Sequence, residues 1–286
     1  MPQQHASFPP ITAQVFLRAA SNKRKFAAVG PDGVSKQDLL HLPATAIEDL
    51  LELIRALEKG AKWPNQAVTG LVSALAKVPS AQKVQPYRPI CIFSMFYRVW
   101  SSIRAKQCLK HLVSIVPSTL MGNIPGRSPQ KVWFHVQQLI EHSYCSPGEV
   151  AGSVIDIVKC FNALPRFPLL QIARLVGLPD EVVIPWTTAL KQMQRRFQVR
   201  STVGQAISSS TGFPEGCALS VVSMAICNIT MELWMYYRYP SVRLWSFVDN
   251  IECTTEDTDQ AIQSLQGLLQ FCSLMDLSID HDKTYM

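Results

Sequence analysis

Apolar residues recur along this chain at helical spacing in some stretches and at strand spacing in others, and the two kinds alternate from end to end. Ile47, Leu50, Leu51, Ile54 and Leu57 fall on one helical face, and Gly60 stops the pattern. Just upstream, turn chemistry from Pro31 to Gly33 leads to Ser35 with Asp38 three residues on, the spacing of a capping box that opens a helix. Residues 68–93 predict a pair of strands, and SMFYRVWSSIRAKQCLKHL predicts a helix with Arg98, Arg104, Lys106 and Lys110 set among apolar positions. Ser128 followed by Pro129 predicts another helix start. The short β-branched run GSVIDIVKCF predicts a buried strand. Helices are predicted over residues 166–177 and 180–193, followed by the strand-like RFQVRSTV and a helix after Gly216. A hairpin around Asp249 and Asn250 and a helix through Ile262, Leu265, Leu268 and Leu269 complete an α+β pattern with no internal repeat.

Composition narrows the picture a little. At 286 residues, 48% hydrophobic and 17% charged, the chain can bury a large core as one big domain or two smaller ones. A formal net charge of +6 is compatible with a polyanionic partner and equally with none. The eight cysteines stand singly, without the close pairs of zinc or redox motifs, which predicts reduced core thiols in an intracellular protein, nuclear or cytoplasmic. MPQQHASFPP has no apolar signal core behind a basic start. The most membrane-like stretch is uncharged only over residues 217–231, short of the roughly 18 or more of a spanning helix. With Asn228 and Glu232 inside it, that stretch predicts a buried core helix and no membrane partner.

The candidate chemistry lies in two apolar segments. Asp156 stands between Val154-Ile155 and Ile157-Val158, and Asp249 follows Phe247-Val248 and comes two positions before Ile251. An ionised carboxylate buried without a partner costs several kcal/mol. In one reading each acid caps a turn or pairs with a nearby Lys or Arg. In the other the two strands lie side by side and the acids share divalent cations, which demand hard oxygen ligands. Such a pair makes a two-metal phosphoryl-transfer centre. The run KQMQRRFQVR, with Arg195, Arg196 and Arg200, reads either as a solvated basic face or as a track for a nucleic-acid backbone.

The order of the motifs resembles that of the reverse transcriptases, most nearly those of non-LTR (LINE-like) retrotransposons, from about Gly30 to the C-terminus. GPDGVS resembles the segment ahead of the fingers, and LAKVPSAQKVQPYRPICIFSMFYRVWSSI the two fingers motifs. DIVKCFNALPR, GFPEGCALS, FVDN and LSIDHDKTYM resemble the four palm motifs in the family order. The implied fold is α+β, a right-hand polymerase whose antiparallel palm sheet is backed by helices. Residues 30–135 and 166–211 would form the fingers, residues 136–165 and 212–286 the palm, behind an N-terminal extension of residues 1–29. Met286 directly follows the Lys283 motif, so the thumb and other domains are expected in a longer parent protein.

Carried over residue by residue, the resemblance makes Asp156 and Asp249 the metal ligands, with the backbone carbonyl of Ile157 as a further oxygen, for Mg2+ or Mn2+. Lys283 takes the lysine position of the fourth palm motif. Lys77 and Arg88 would meet the triphosphate, and Phe161 would pack under the sugar and collide with a ribose 2′-hydroxyl. Outside the motifs these three read as surface cations and a core aromatic. Gly212, Pro214, Glu215 and Gly216 would shape the loop against nucleotide and template. The implied partners are an RNA template, a DNA or RNA primer and deoxynucleoside triphosphates.

Two positions depart from the family pattern. Asn250 replaces the usual second aspartate, which lowers the negative charge that holds the ions. Glu215 replaces the usual glutamine and repels a triphosphate unless a cation such as Arg88 neutralises it. The resemblance thus implies an RNA-directed DNA polymerase, weakened and manganese-preferring. An inactive nucleic-acid-binding fragment is favoured by Asn250 and Glu215. An RNA-directed RNA polymerase is favoured by the Asp-Asn pair and opposed by Phe161.

Overall fold

The structure, a computed structural model, describes residues 6–77, 87–145 and 149–286. The elements run α1 (Ala13–Ser21), α2 (Lys36–Leu40), α3 (Ala44–Glu58), α4 (Asn65–Val68), β1 (Thr69–Ala76), β2 (Tyr87–Ile92), α5 (Met95–Val113) and α6 (Pro129–Cys145). There follow β3 (Ala151–Asp156), α7 (Cys160–Ala163), α8 (Arg166–Leu175), α9 (Asp180–Gln192), β4 (Gln194–Val199) and β5 (Thr202–Ile207). The chain ends with α10 (Ala218–Arg238), β6 (Arg243–Phe247), β7 (Asn250–Thr255), α11 (Thr258–Leu274) and a 3-10 turn, His281–Lys283. Two compact units result, Met1–Cys108 with Leu170–Ser220 and Leu109–Leu169 with Val221–Met286.

Local chemistry explains several element ends. The Ser35 hydroxyl accepts from the Asp38 amide while the Asp38 carboxylate accepts from the Ser35 amide, so the capping box opens α2. Gly60, with φ of 104°, supplies the left-handed residue that ends α3. Helix α1 is absent from the pattern read along the sequence. Thr12 caps it through the Val15 amide, and it buries only Phe16 and Ala20, too few positions to stand out as a period. Residues 78–86, inside the expected strand pair, lie outside the described residues.

In the first unit the sheet runs β2-β1-β4-β5, with β1 antiparallel to β2 and parallel to β4. Trp63 packs edge-on against Tyr97 and Trp100, with ring centroids 5.2 and 5.0 Å away. Arg104, predicted among apolar positions, is 1% exposed. Its guanidinium forks onto Glu58 at 2.8 and 2.6 Å, and the Trp100 indole donates to the same carboxylate at 2.9 Å. A buried cation persists only with such partners.

In the second unit a wholly antiparallel sheet runs β3-β7-β6, backed by α11 against β3 and β7. Ile155, Ile251, Cys253, Leu268 and Phe271 are buried. Helix α10 is long and apolar enough to cross a membrane by length and composition, but 72% of its most apolar window is buried inside the protein, as for a core helix. Seven of the eight cysteines are buried, as expected of core thiols. Cys145 is exposed instead, because it falls at the last residue of α6.

Candidate active site

The acid pair is built by the register of the second sheet. Strand β3 ends at Asp156 and β7 begins at Asn250, and the two residues face each other across the antiparallel ladder. The Ile157 amide donates to the Asp249 carbonyl at 3.2 Å. That bond makes 157 and 249 the hydrogen-bonded pair. Asp156 and Asn250 are then the closer, non-hydrogen-bonded kind, with Cα atoms roughly 4.5 Å apart and side chains on one face. Asp249 takes the second place in the two-residue turn between β6 and β7, so both aspartates stand at neighbouring strand ends. Neither is fully buried: Asp156 closes its strand, and Asp249 is half-buried in a turn, not within a strand.

The other edge of β3 delivers the lysine. Val154 exchanges backbone hydrogen bonds with Tyr285 at 2.9 and 3.0 Å, and the Asp280 amide donates to the Asp156 carbonyl at 2.9 Å. The 3-10 turn is thereby laid along β3. It brings Lys283 Nζ to 2.5 Å from Asp156 Oδ2 and 3.1 Å from Asp280 Oδ2. Hydrogen bonds to Asp156 and then Asp280 push the Lys283 pKa up. Asp156 thus pairs with a lysine, as one sequence reading expected, and it ends the strand that lies beside the turn of Asp249.

The donor set fits a divalent ion in kind, with two carboxylates at adjacent strand ends and the Ile157 carbonyl one residue beyond Asp156. Among the described residues no three or more His, Cys, Asp or Glu side chains gather as a metal cluster. Phe161, five residues after Asp156, lies half-buried on α7, beyond a left-handed Lys159 with φ of 47°.

The turn that carries Asp249 has supports that the motif reading did not identify. Val248 has φ of 61°, where a β-branched residue is an outlier. The Asn228 amide nitrogen, on buried α10, donates to the Val248 carbonyl at 3.1 Å. The amides of Met121 and Gly122 both donate to the Ser246 carbonyl, at 2.8 and 3.2 Å. One helical turn beyond Asn228, buried Glu232 accepts from the Thr119 hydroxyl at 3.0 Å, and its pKa is pushed up to about 7 by burial. The only sequence sign of these supports is a pair of polar residues within the apolar run of α10.

The first unit holds the remaining candidates. Leu75 pairs with Arg88 and Leu71 with Arg196, which places Arg88 and Arg196 on one face of the sheet. Lys77 is exposed one residue past the end of β1, and Arg195, on the opposite face, is half-buried. Strand β2 is an edge, and its Cys91 amide donates outward to the Glu215 carbonyl at 2.7 Å. Gly216, with φ of 106°, is required there, because a Cβ would sit 2.4 Å from the Cys91 carbonyl oxygen. The Ser220 hydroxyl fixes the Pro214 carbonyl at 2.8 Å, and Gly212, with φ of 73°, turns the chain into the loop. The structure thus gathers Asp156, Asp249, Asn250 and Lys283 in one unit. In the other it gathers Arg88 and the loop of residues 212–216.

A telomerase from Candida tropicalis, truncated of its C-terminal domain, superposes with a TM-score of 0.60 at 14% identity, over 82% of this chain and 53% of that one. The Candida tropicalis telomerase in complex with the TWJ fragment of telomeric RNA gives 0.58 at 12% identity, over 84% of this chain and 44% of that one. At such identities the likeness shows the fold, and the chain spans about half the length of these structures. No curated protein matches the chain. The family model described as reverse transcriptase (RNA-dependent DNA polymerase) matches residues 78–286, so the chain belongs to the reverse transcriptase family.

Proposed function

We propose that the chain is the catalytic portion of an RNA-directed DNA polymerase of the non-LTR retrotransposon type. In this reading it extends a primer 3′-hydroxyl with deoxynucleotides by two-metal phosphoryl transfer. The observation that carries this reading is the register that sets Asp156 beside the turn of Asp249. Residues 30–135 and 166–211 form the fingers in this reading, and residues 136–165 and 212–286 the palm. Asp156, Asp249 and the Ile157 carbonyl would hold Mg2+ or Mn2+, and such ions would supply activation of the attacking hydroxyl and neutralisation of charge at the leaving phosphates.

The chain's own residues do the rest. Lys77 supplies a point charge to the triphosphate, and Arg88 supplies a guanidinium fork. The loop of residues 212–216, pinned to the edge of β2, lets backbone approach the nucleotide closely. Phe161 excludes a 2′-hydroxyl and so selects deoxynucleotides. Lys283 holds a proton beside Asp156 and offsets its charge.

RNA-templated primer extension tests the reading. Wild-type chain should incorporate deoxynucleotides, Asp156→Ala should not, and Phe161→Ala should admit ribonucleotides. Extension that survives Asp156→Ala would sink the assignment. A second reading, a nucleic-acid-binding fragment with little activity, is favoured by Asn250 opposite Asp156 and by Glu215. It predicts RNA binding without extension in either metal.

A further inference from the structure

The β6–β7 turn has only two residues, so the conformation of Val248 sets the direction of Asp249. A two-residue turn with its first residue at positive φ is the kind for which glycine is the ordinary choice. Val248 has φ of 61°, a region a β-branched side chain adopts only when its surroundings impose it. The surroundings that do so are specific. Asn228 is 1% exposed and spends its amide nitrogen on the Val248 carbonyl at 3.1 Å. On the amide side, a Cβ at Gly122 would lie 2.2 Å from the Val248 nitrogen and 3.0 Å from the Phe247 Cα. Only glycine lets that backbone press against the turn. The amides of Met121 and Gly122 anchor the segment to the Ser246 carbonyl, and the Ile157 amide holds the Asp249 carbonyl on the opposite side.

We propose that Asn228 and Gly122 are positioning residues that hold Val248 left-handed and thereby aim the Asp249 carboxylate at the ion shared with Asp156. The proposal rests on the metal-binding role given above to the two aspartates. Neither residue touches the reacting atoms; both act through the turn.

Two measurements test it. The first, made without metal, follows the Val248 backbone chemical shifts, which report the sign of φ. Asn228→Leu should move Val248 out of the left-handed region, and unchanged shifts would overturn the clamp. The second measures Mn2+ affinity from the spectroscopic signal of the free ion. Asn228→Leu should weaken binding at least tenfold, the scale of a lost outer-shell partner. Val248→Gly, which takes positive φ without help, should rescue it, so that Asn228→Leu costs about twofold or less in that background. A purely structural asparagine would show no such rescue. Shifts that move while Mn2+ affinity stays within twofold would overturn the positioning role. Should Asn228→Leu fail to fold, Asn228→Ala carries the same test. If wild-type chain shows no Mn2+ binding that Asp156→Ala removes, the proposed metal role has failed, and the Val248 shifts still decide the clamp.

Discussion

Asn250 faces Asp156 at the closest kind of cross-strand position. A carboxylate there would set like charges side by side, which costs a strand pair up to about 1 kcal/mol unless a cation lies between them. Asn250→Asp should therefore lower the melting temperature in the presence of chelator and raise Mn2+ affinity in calorimetry. Lys283 competes with any divalent ion for Asp156 Oδ2, since its Nζ already lies 2.5 Å from that oxygen. Lys283→Gln should bind Mn2+ more tightly than wild type, and weaker binding would show that the lysine helps to build the site. Glu232 lies buried one helical turn beyond Asn228. Burial raises its pKa from 4.5 to about 7, against smaller opposite effects of Thr119 and Arg127. An acid raised in the folded state stabilises it fully below about pH 4.5 and loses that contribution as pH rises toward 7. Glu232→Gln should thus gain up to roughly 3 kcal/mol over wild type at pH 8, a gain that fades in acid, as read by denaturant unfolding.

Among the elements, α5 and α3 are joined by the buried Arg104–Glu58 pair, and removing one partner leaves the other charge stranded. Glu58→Ala should cost about 3–5 kcal/mol of unfolding free energy, whereas replacing both residues with apolar ones of similar size should cost far less. Elements whose causes are local were legible in the sequence: the capping box at Ser35 and Asp38 and the stop at Gly60 follow from a few neighbouring residues, whereas the need for Gly216 comes from the distant Cys91 carbonyl. The position of Asp249 was half legible. Its hairpin is visible, but Val248 carries none of the Gly or Asn signal of a two-residue turn, so the acid reads as part of a strand. Asn228 shows in the sequence only as a polar residue within an apolar run, and Gly122 shows no sign, because each meets the backbone of the turn across a separation that local patterns do not report.

At the scale of the molecule, the second sheet brings together segments that lie apart along the chain. The first, second and fourth palm-like segments, DIVKCF, GFPEG and LSIDHDK, are far apart in sequence. The first and fourth meet where the 3-10 turn lies along β3, and FVDN enters through β7 on the other edge of that strand. Family membership rests on residues 78–286, and the two-unit division is a property of the fold. The proposed joint hold of Asp156 and Asp249 on the ions that bind a deoxynucleoside triphosphate is tested by a calorimetric titration of a deoxynucleoside triphosphate in Mn2+ into wild-type chain, Asp156→Ala and Asp249→Ala. Binding by the wild type that both substitutions abolish, with each variant still folded, is the predicted result. Binding that persists in either variant, or is absent from folded wild type, would contradict it.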